Sequence, residues 1–306
     1  KMAGLQDGLW LKEFVDPQLL EDFKNYNDDF IGTFKAPNAA AIDTDGIKFN
    51  KLNNSVGFLI NTDSDFTAQK ITGKKRLIEW DRLDTTPTEL SEDEARAMAF
   101  DREAEYRVLH ANAWKMGVRN YAMYKAAPLA KTVDTPIIRT TGDDDGTGRK
   151  RMTYIDLINL YNSALAMNLT NQEELYMVLS AEHSQDLIAD RANTNNYRDI
   201  VINPTTGAVE RFFKLKFFEN NHSVKYTAAN TLVGLDATPL ATDMNASIFY
   251  YAPNIVHHVE AVQTLYKPMA QDTNSKIPKS EMRLHSWGLT EKKQEMASAA
   301  IVSTKI

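Results

Sequence analysis

The chain has 306 residues, of which 43% are hydrophobic and 25% charged, so it is long enough to bury one large core or two moderate ones. A formal net charge of −6 argues against a protein built to grip nucleic-acid phosphates, and the absence of cysteine excludes disulfides and thiolate sites. No apolar run approaches the length of a membrane span, so we expect no contact with a membrane.

The first 55 residues lack the pattern of an independent domain. In the stretch LWLKEFVDPQLLEDFKNY, Trp10, Phe14 and Phe23 recur at roughly helical spacing. The following stretch mixes Gly, Pro, Asn and Asp with isolated Phe and Ile, which is typical of irregular backbone. Residues 1–55 are therefore predicted to form an arm that lies on another surface.

Residues 56–90 predict two extended pieces with Gly73 as the turn between them. The second piece, 74–83, is rich in Arg, Lys, Ile and Trp. The Thr- and Pro-containing segment 85–88 favours extended backbone and excludes a helix there. A two-stranded ribbon with little apolar content is marginal alone in water. We therefore expect the ribbon to rest on a neighbour, in the same chain or another.

One long helix is predicted to follow the ribbon. Ser91 and Glu94 have the spacing of a capping box, and Pro128 predicts the end of the helix. At 1.5 Å per residue this helix is on the order of 50 Å long. It carries a narrow apolar stripe and many charges, and no second long helix shares its pattern. A helical bundle or coiled coil is therefore not expected.

Beyond the helix, periodicity predicts a mixture of helices and strands. The predicted elements are an extended link in 129–141, a helix in 152–165, a buried strand in 174–182, a second helix in 182–192, an aromatic strand in 207–220, a long loop in 220–246 and terminal strands in 247–302. The terminal strands are expected to return and pack against the long helix.

Three stretches carry a resemblance to a known family. EWDRLDTTPTELSEDEARAMAFDREAEYRVLHANAW is an extended segment that leads into a long helix. YIDLINLYNSALAMNLTNQEELYMVLSAEHSQDL predicts a helix, a strand and a second helix, and KSEMRLHSWGLTEKKQEMASAAIV ends the chain in strands. In this order of elements, over nearly its whole length, the chain resembles the major capsid protein of tailed bacteriophages, which has the Hong Kong 97-type fold.

The resemblance implies an α+β fold in which the subunit is a thin plate. Its parts would be an N-terminal arm (1–55), an extended loop or β-ribbon (56–90), the spine helix with the first part of the peripheral domain (91–150), an axial domain (151–246) and the terminal strands of the peripheral domain (247–306). A spine helix in a thin plate has little core beneath it, which agrees with its narrow apolar stripe. Arm and loop would lie over adjacent subunits, so we expect the opening third of the chain to be stable only there.

The function implied by the resemblance is structural. Copies of the chain would self-assemble through hexamers and pentamers into an icosahedral shell that encloses double-stranded phage DNA without sequence-specific binding. The location would be the virion capsid, assembled in the host cytoplasm, with scaffolding, portal and decoration proteins as further partners. No catalytic residue, metal or cofactor is implied. Two alternatives stay open: an encapsulin-like cellular nanocompartment shell, and a soluble α/β enzyme with no recognisable motif.

The predicted inter-subunit contacts are aromatic residues of the arm together with basic and aromatic residues of the ribbon. They are Trp10, Phe14, Phe66, Lys70, Lys74, Lys75, Arg76, Trp80 and Arg82. The basic cluster either forms a solvated edge that resists aggregation or meets acidic positions of a neighbouring subunit, such as 92–94 at the start of its spine helix. We favour the second interpretation because apolar ribbon residues such as Phe66 and Trp80 would otherwise be exposed.

The acidic segment TGDDDGTGRKR lacks the residue pattern of a metal or phosphate loop. Counting from Thr141, a calcium loop would need Glu at the twelfth position, where Met152 stands instead. No GxxxxGK string followed by Ser or Thr occurs in the chain. A solvated acidic turn is the better interpretation.

The histidines predict no catalytic or metal site. His257 and His258 are adjacent, so in a strand they would face opposite sides and would not share a metal. Ser180 and Ser184 lie near His183 in sequence, but no GxSxG elbow is present. A structural or surface role is expected for all six histidines.

Overall fold

The structure is a computed structural model, and it describes residues 29–52, 60–61, 73–93, 102–169, 173–194 and 200–306. The α-helices described over their full extent are α1 (Arg102–Ala126), α2 (Tyr154–Ala166) and α3 (Ala181–Thr194). Short 3-10 helices are formed by Asp29–Thr33, Ala39–Ala41, Ala252–Asn254 and Met269–Gln271.

The strands of the described residues are numbered in chain order. The first nine are β1 (Ile42–Asp43), β2 (Gly46–Leu52), β3 (Gly73–Glu79), β4 (Asp81–Asp84), β5 (Thr88–Ser91), β6 (Ile137–Arg139), β7 (Arg149–Lys150), β8 (Leu175–Ser180) and β9 (Ile200–Ile202). The others are β10 (Val209–Phe212), β11 (Leu215–Asn220), β12 (Val224–Tyr226), β13 (Met244–Tyr251), β14 (Ile255–Val259), β15 (Gln263–Lys267), β16 (Lys279–Lys292), β17 (Ser298–Val302) and β18 (Thr304–Lys305).

The largest sheet, here called the central sheet, has the order β6-β17-β13-β8-β11-β10-β9, with β12 also paired to β13. It is mixed: β8 runs parallel to β11 and β6 parallel to β17, whereas β13 is antiparallel to both of its neighbours in this order. The middle strands read as nearly continuous apolar runs. Such runs are expected of strands that are buried on both faces.

Both faces of the central sheet are covered. On β13, Ile248 and Tyr250 join one hydrophobic cluster, and Phe249 between them joins another. The first cluster includes the C-terminal end of α1, and the second includes α2 and α3. The alternation of side chains along the strand produces this division, because successive residues of a strand point to opposite faces.

The predicted helix–strand–helix unit is confirmed as α2, β8 and α3. The start of α2 is held by a capping box, in which the backbone N–H of Thr153 donates to Oδ2 of Asp156 at 2.9 Å. Leu157 and Leu160 of α2 and Leu187 of α3 are buried against the sheet. These elements and the strands that they cover, here called the central lobe, therefore have an apolar core of their own.

The long helix ends as predicted, just before Pro128. Its described part, α1, has 25 residues and is about 37 Å long at 1.5 Å per residue. Glu92 and Asp93 are helical, but residues 94–101, where the predicted start would continue, lie outside the described residues. The C-terminal part is buried at Tyr121, Ala122, Met123 and Ala126, whereas many residues of the N-terminal half are partly exposed.

A second sheet, here called the peripheral sheet, is built around the 14-residue strand β16. Strands β14 and β15 pair with one side of β16, and β4 and β5 pair with the other. Along β16, Met282, Ser286, Thr290 and Lys292 are buried, and β16 packs against α1. The prediction that terminal strands return to the long helix is confirmed for β16.

The ribbon in the structure is formed by other strands than the sequence predicted. Gly73 is not the turn between two pieces of 56–90; it is the first residue of β3, which pairs along its length with β2. The predicted single piece 74–83 is divided between β3 and β4, and β4 joins the peripheral sheet instead. The turn prediction is wrong because Gly73 pairs with Leu52 in the β2–β3 ladder. A glycine is required by the close approach of two backbones at another position of the ribbon. At Gly46 (φ 146°), a Cβ atom would lie 2.1 Å from the carbonyl oxygen of Ile78.

Part of the predicted arm packs on its own molecule. Phe30 and Phe34 are buried in the cluster that contains the end of α1, and Phe34 contacts the ring of Tyr250 edge-on at 5.1 Å. The backbone N–H of Lys35 donates to the carbonyl of Ile255 at 3.2 Å. The expectation that all of 1–55 depends on a foreign surface is therefore wrong for this segment, because its aromatic side chains complete the chain's own core.

Two other predictions need correction. The aromatic stretch 207–220 is a hairpin of β10 and β11, not one strand, and its two-residue turn contains Phe213 at a φ of 50°. The terminal region 247–306 does not belong to one peripheral unit, since in the central sheet β13 lies beside β8 and β17 lies beside β13. Strand patterns revealed which segments are extended, but the pairing partners are distant in sequence.

Candidate inter-subunit contact surface

The β2–β3 ribbon has an inner face that is fixed to its own chain. Ile47 and Ile78 are buried in a small cluster with Val256 of β14 and Leu289 of β16. Phe49 on the same face lies under the ammonium group of Lys293, 5.8 Å from the ring centroid. The base of the ribbon therefore covers one end of the solvent-side face of the peripheral sheet.

Arg76, a predicted contact residue, also engages its own chain. Its Nη1 donates to the carbonyl of Lys293 at 3.0 Å, and its Nη2 lies 3.5 Å from Oε1 of Glu295. Glu295 in turn lies 3.7 Å from Nζ of Lys292, which donates to the carbonyl of Ala127 at the end of α1 at 2.7 Å. This chain of contacts links the ribbon base to the C-terminal end of the long helix.

Trp80 lies at the corner between the ribbon and the peripheral sheet. Its indole Nε1 donates to the carbonyl of Asp43 at 3.1 Å, and its ring lies 5.7 Å from that of His258. The side chain is partly buried by these contacts. Trp80 thus serves the fold of its own chain, and only its uncovered part is available to another molecule.

Arg82 is the most exposed of the predicted contact residues for which side-chain exposure is given, at 65%. Its Nε lies 2.7 Å from Asp84, which also accepts from Arg283 at 2.9 Å and from His285 at 2.7 Å. Burial raises the pKa of Asp84, but the hydrogen bond from His285 and the charges of the three basic partners outweigh it and lower the pKa. One carboxylate therefore organises three basic side chains on an open sheet face.

The outer face of the ribbon is open to solvent. Lys75, Leu77 and Glu79 alternate with the inward-facing residues of β3, and all three are exposed. Lys74 belongs to β3, but its side chain is not among those described. Trp10, Phe14, Phe66 and Lys70 lie outside the described residues, so their predicted role remains a prediction.

An open concavity of about 730 Å³ lies where the ribbon base meets the uncovered sheet. Its lining combines acidic residues with two tryptophans, and consists of Asp43, Thr44, Asp45, Leu77, Glu79, Trp80, Glu260 and Trp287. Trp287 and Leu77 are each 42% exposed. Sequence reasoning missed Trp287, although alternation along MRLHSW places it on the same face as Arg283 and His285.

The long helix is fastened to the peripheral sheet through polar contacts. Tyr121 donates its hydroxyl proton to Asp81 and accepts from the backbone N–H of Thr290 at 3.3 Å. Burial, together with the bond to Asp81, raises the pKa of Tyr121. Lys125 adds ion pairs to Asp81 at 3.1 Å and Glu291 at 3.5 Å.

The Thr- and Pro-rich segment before the helix is held by one buried histidine. The ring nitrogens of His110 on α1 lie 2.7 Å from Oγ1 of Thr85 and 2.8 Å from Oγ1 of Thr88. Thr85 also exchanges hydrogen bonds with the backbone of Leu284, at 2.9 and 3.0 Å. Burial lowers the pKa of His110. The segment's extended backbone thus connects β4, β5 and α1.

The acidic loop is satisfied by internal contacts. Asp144 accepts from the backbone N–H groups of Gly146 and Gly148 at 2.9 and 3.1 Å. Hydrogen bonds from Thr147 and the charge of Arg149 lower the pKa of Asp145 to about 2. Within the described ranges, no group of three or more His, Cys, Asp or Glu side chains is placed to hold a metal.

The serines that hold His183 are not the ones near it in sequence. Its ring nitrogens lie 2.7 Å from Oγ of Ser247 and 2.9 Å from Oγ of Ser303, and burial lowers its pKa to about 4. Ser180 instead accepts from the backbone N–H of His183 at 3.3 Å. The imidazole is fully buried between the central sheet and the start of α3, so it does not face a substrate-accessible cleft.

Comparison with solved structures identifies the fold that is formed by the arm segment, the ribbon, the long helix and the two sheets. The chain matches the capsid of the cyanophage P-SCSP1u with a TM-score of 0.68 and 15% identity, over 97% of this chain and 94% of that one. It matches the capsid asymmetric unit of cyanophage Pam1 with a TM-score of 0.67 and 8% identity, over 99% of each chain.

A third match is to the asymmetric unit of the mature capsid of bacteriophage PhiM1, with a TM-score of 0.64 and 11% identity over 98% of this chain and 97% of that one. No family model and no curated protein matches the sequence. The chain therefore has the α+β fold of tailed-phage major capsid proteins, and the resemblance predicted from the order of elements is confirmed at the level of fold.

Proposed function

We propose that this protein is the structural major capsid protein of a tailed phage, which self-assembles into the icosahedral shell around the phage's double-stranded DNA. The observation that carries the proposal is the match to phage capsid chains over nearly the full length of both partners. A match of this extent includes the ribbon and the long helix as well as the central sheet. The location that follows is the virion capsid, with assembly in the host cytoplasm.

The distribution of apolar contacts supports a subunit whose exposed surfaces are covered by neighbouring copies of the chain. Among the described residues, the ribbon base rests on a cluster of four buried residues, whereas the central sheet has a large cluster on each face. The sheet face around Trp287 and Arg82 is exposed in the single chain. Heterologous contacts, in which one surface meets a different surface of the next copy, close such subunits into rings and shells.

The contact residues belong to the same proposal. Lys75, Arg82 and the uncovered part of Trp80 are exposed on the ribbon and the adjoining sheet. Lys70, Lys74, Phe66 and the arm residues Trp10 and Phe14 are proposed to extend this surface. Arg76 is better assigned to holding the ribbon base on its own chain, since its guanidinium already contacts Lys293 and Glu295.

A structural role rather than a catalytic one agrees with the chemistry of the described residues. His183, which has the most suggestive serine contacts, is fully buried, and the carboxylates of Asp144 and Asp145 are bonded within the acidic loop. No helix among those described is long and apolar enough to cross a membrane. Scaffolding, portal and decoration proteins are further proposed partners.

The proposal is tested by the assembly state of the purified chain. The protein is expressed alone, then examined by sedimentation velocity and negative-stain microscopy over a range of concentrations. Shell-like particles, or hexamers and pentamers, are the expected result. A monodisperse monomer at every concentration would contradict it and favour a soluble enzyme.

The encapsulin-like alternative is separated by what the particles contain. Particles from a lysate of infected cells are expected to hold double-stranded DNA, detected by nuclease-protected nucleic acid that co-sediments with this chain. Particles formed in uninfected cells that retain a specific protein cargo and no packaged genome would favour the nanocompartment instead.

A further inference from the structure

We infer that His110 is a proton-dependent latch, which holds the extended segment 85–88 on the long helix while its imidazole ring is neutral and releases the segment when the ring binds a proton. The latch is the pair of hydrogen bonds that the ring forms with Thr85 and Thr88. It is a property of the single chain, so it goes beyond the proposed function.

The ring of His110 ties both ends of the segment to α1. Thr85 comes directly after β4, and Thr88 is the first residue of β5. Both threonines are also held by β16, because the backbone N–H of Thr85 donates to the carbonyl of Leu284 and Thr88 lies opposite Met282. One side chain of the helix therefore connects to the peripheral sheet at two points.

The two hydrogen bonds require a neutral ring. A neutral imidazole donates from one nitrogen and accepts at the other, so one of the two threonine hydroxyls must donate to His110. The hydroxyl oxygen of Thr85 already accepts from the backbone N–H of Leu284 at 2.9 Å, which leaves its proton free to be donated. A protonated ring donates from both nitrogens, so this threonine would face a second donor and its bond to the ring would be lost.

Among the described residues, no carboxylate forms an ion pair with this ring. His110 is 4% exposed, and burial lowers its pKa. Of the nearby acids, Asp81 already accepts from Tyr121 and Lys125, and Asp84 is paired with basic side chains of the open sheet face. A proton on the ring therefore adds a buried charge without compensation, which is costly.

The titratable and charged side chains around the latch belong to the elements that pack against it. In the cavity beside the ring they are Asp81, Arg82 and Asp84 of β4, Tyr121, Tyr124 and Lys125 of α1, and Asp236 of the loop between β12 and β13. Around Thr88 they are Tyr106 and Arg107 of α1 and Tyr266 of β15. Histidine is the residue type whose ordinary pKa lies near 6.5, and His110 is the one histidine that lines either of these described spaces.

The latch borders an open cavity of about 780 Å³. Thr85, Thr86, Thr88 and His110 all belong to its lining. Because this space is open to solvent, a small displacement of the segment admits water to a protonated ring. Release of the segment therefore does not require α1 to unfold.

The direction of the pH dependence follows from the burial of the ring. A histidine in water has a pKa near 6.5, whereas the pKa of His110 is lowered in the latched state. The released state therefore binds the proton more readily, so the latch is fully stabilised above about pH 6.5 and weakens as the pH falls below that value. In this window the equilibrium constant for release rises by up to about tenfold per pH unit.

Amide hydrogen exchange of the full chain tests the latch. Exchange is measured at about pH 7.5 and about pH 5.5, at a protein concentration too low for assembly, and is corrected for the intrinsic exchange rate at each pH. The reporting amides are those of Thr85 and Leu284, which are hydrogen-bonded to each other's residue. Their protection is expected to be about three- to tenfold lower at the lower pH.

His110→Gln is the variant that identifies the residue, because a glutamine amide can hydrogen-bond to threonine but does not titrate in this range. The protection of the same amides is expected to change by less than about twofold between the two pH values. His285→Gln is the matched control. It removes an imidazole that is bonded to Asp84, next to the segment, but that does not belong to the latch. This control is expected to keep the full pH dependence.

A titration of the ring by nuclear magnetic resonance gives a second measurement on the unaltered chain. The ring nitrogens of His110 are expected to titrate with a midpoint below 6.5, over the same pH range in which protection is lost. This measurement decides the matter if His110→Gln does not fold.

The proposed latch is contradicted if protection at Thr85 and Leu284 is the same at both pH values, or if His110→Gln keeps the dependence of the unaltered chain. It is also contradicted if His285→Gln abolishes the dependence as completely as His110→Gln, or if the ring titrates at 6.5 or above. None of these outcomes affects the proposed function, which depends on whether the unaltered chain assembles.

Discussion

The central sheet and the ribbon with its peripheral sheet are built on different physical principles. The central sheet is covered on both faces by apolar clusters, and its strands carry buried residues in continuous runs. The ribbon base is anchored by four buried residues, and part of the peripheral sheet has a charged face exposed to solvent. The first region is stable by its own burial, whereas the second has surface that further copies of the chain can cover.

The polar contacts follow the same division. In the central lobe, Arg149 and Asp186 form a buried pair with two hydrogen bonds of 2.7 and 2.9 Å. On the peripheral sheet, Arg82, Arg283 and Asp84 form exposed ion pairs. Exposed pairs contribute little to folding stability. Buried pairs are costly to break because the remaining charge loses its compensation.

The largest expected effect is therefore the loss of the buried pair in the central lobe. Asp186→Asn leaves the guanidinium of Arg149 with a weaker partner and disturbs the bond from the backbone N–H of Met152. We expect the free energy of unfolding to fall by about 3–5 kcal/mol. Urea denaturation followed by circular dichroism measures it. Asp143→Asn is the control, because Asp143 is an exposed residue of the acidic loop that also contains Arg149. It should change the free energy of unfolding by less than about 0.5 kcal/mol.

Acid should destabilise the central region through His183. Its pKa is lowered to about 4, so below the unfolded value near 6.5 the unfolded chain binds the proton more strongly than the folded chain. Stability from this group is present above about pH 6.5 and is lost as the pH falls toward 4, by about 3 kcal/mol. Unfolding free energies measured at several pH values are expected to show a weaker dependence for His183→Gln. An unchanged dependence would refute this account.

A smaller and local effect is expected at the ribbon base. Ile78→Ala removes one of four buried side chains in the cluster there and should cost about 2 kcal/mol. Because the cluster is separate from the central core, faster hydrogen exchange should be confined to β2, β3 and their contacts. Leu77→Ala is the matched control, since its side chain is exposed. A loss of stability across the central sheet would show that the two regions unfold as one.

The smallest effect tests a single helix start in the central lobe. Thr153→Ala removes the hydroxyl of the capping box at α2, and we expect a loss of about 1 kcal/mol. The measurement is the midpoint of chemical denaturation, with Thr205→Ala on an exposed loop as the control. A change of similar size in both variants would mean that the cap contributes nothing specific.

Local patterns predicted several elements correctly, for reasons visible in single residues. The helical spacing of Ile155, Ile158, Leu160 and Leu165 predicted α2, although Ile155 and Leu165 are exposed in the structure and the buried face contains Leu157 and Leu160. Pro128 predicted the end of the long helix. The run LYMVLS predicted a buried strand because both of its faces are apolar. The role of the predicted contact residues stays a prediction: Lys75 and Arg82 are exposed, whereas Arg76 is hydrogen-bonded within its own chain.

The sequence by itself determined which segments are helical or extended, which faces are apolar, and an order of elements that resembles a capsid subunit. The tertiary structure decided the partners: β3 with β2, β13 with β8 and β17, Phe30 with the end of the long helix, and the acidic residues with Trp287 around one concavity. The physical reason is that periodicity reports the direction of each side chain relative to its own backbone. Which distant segment covers that side chain depends on the packing of the whole chain.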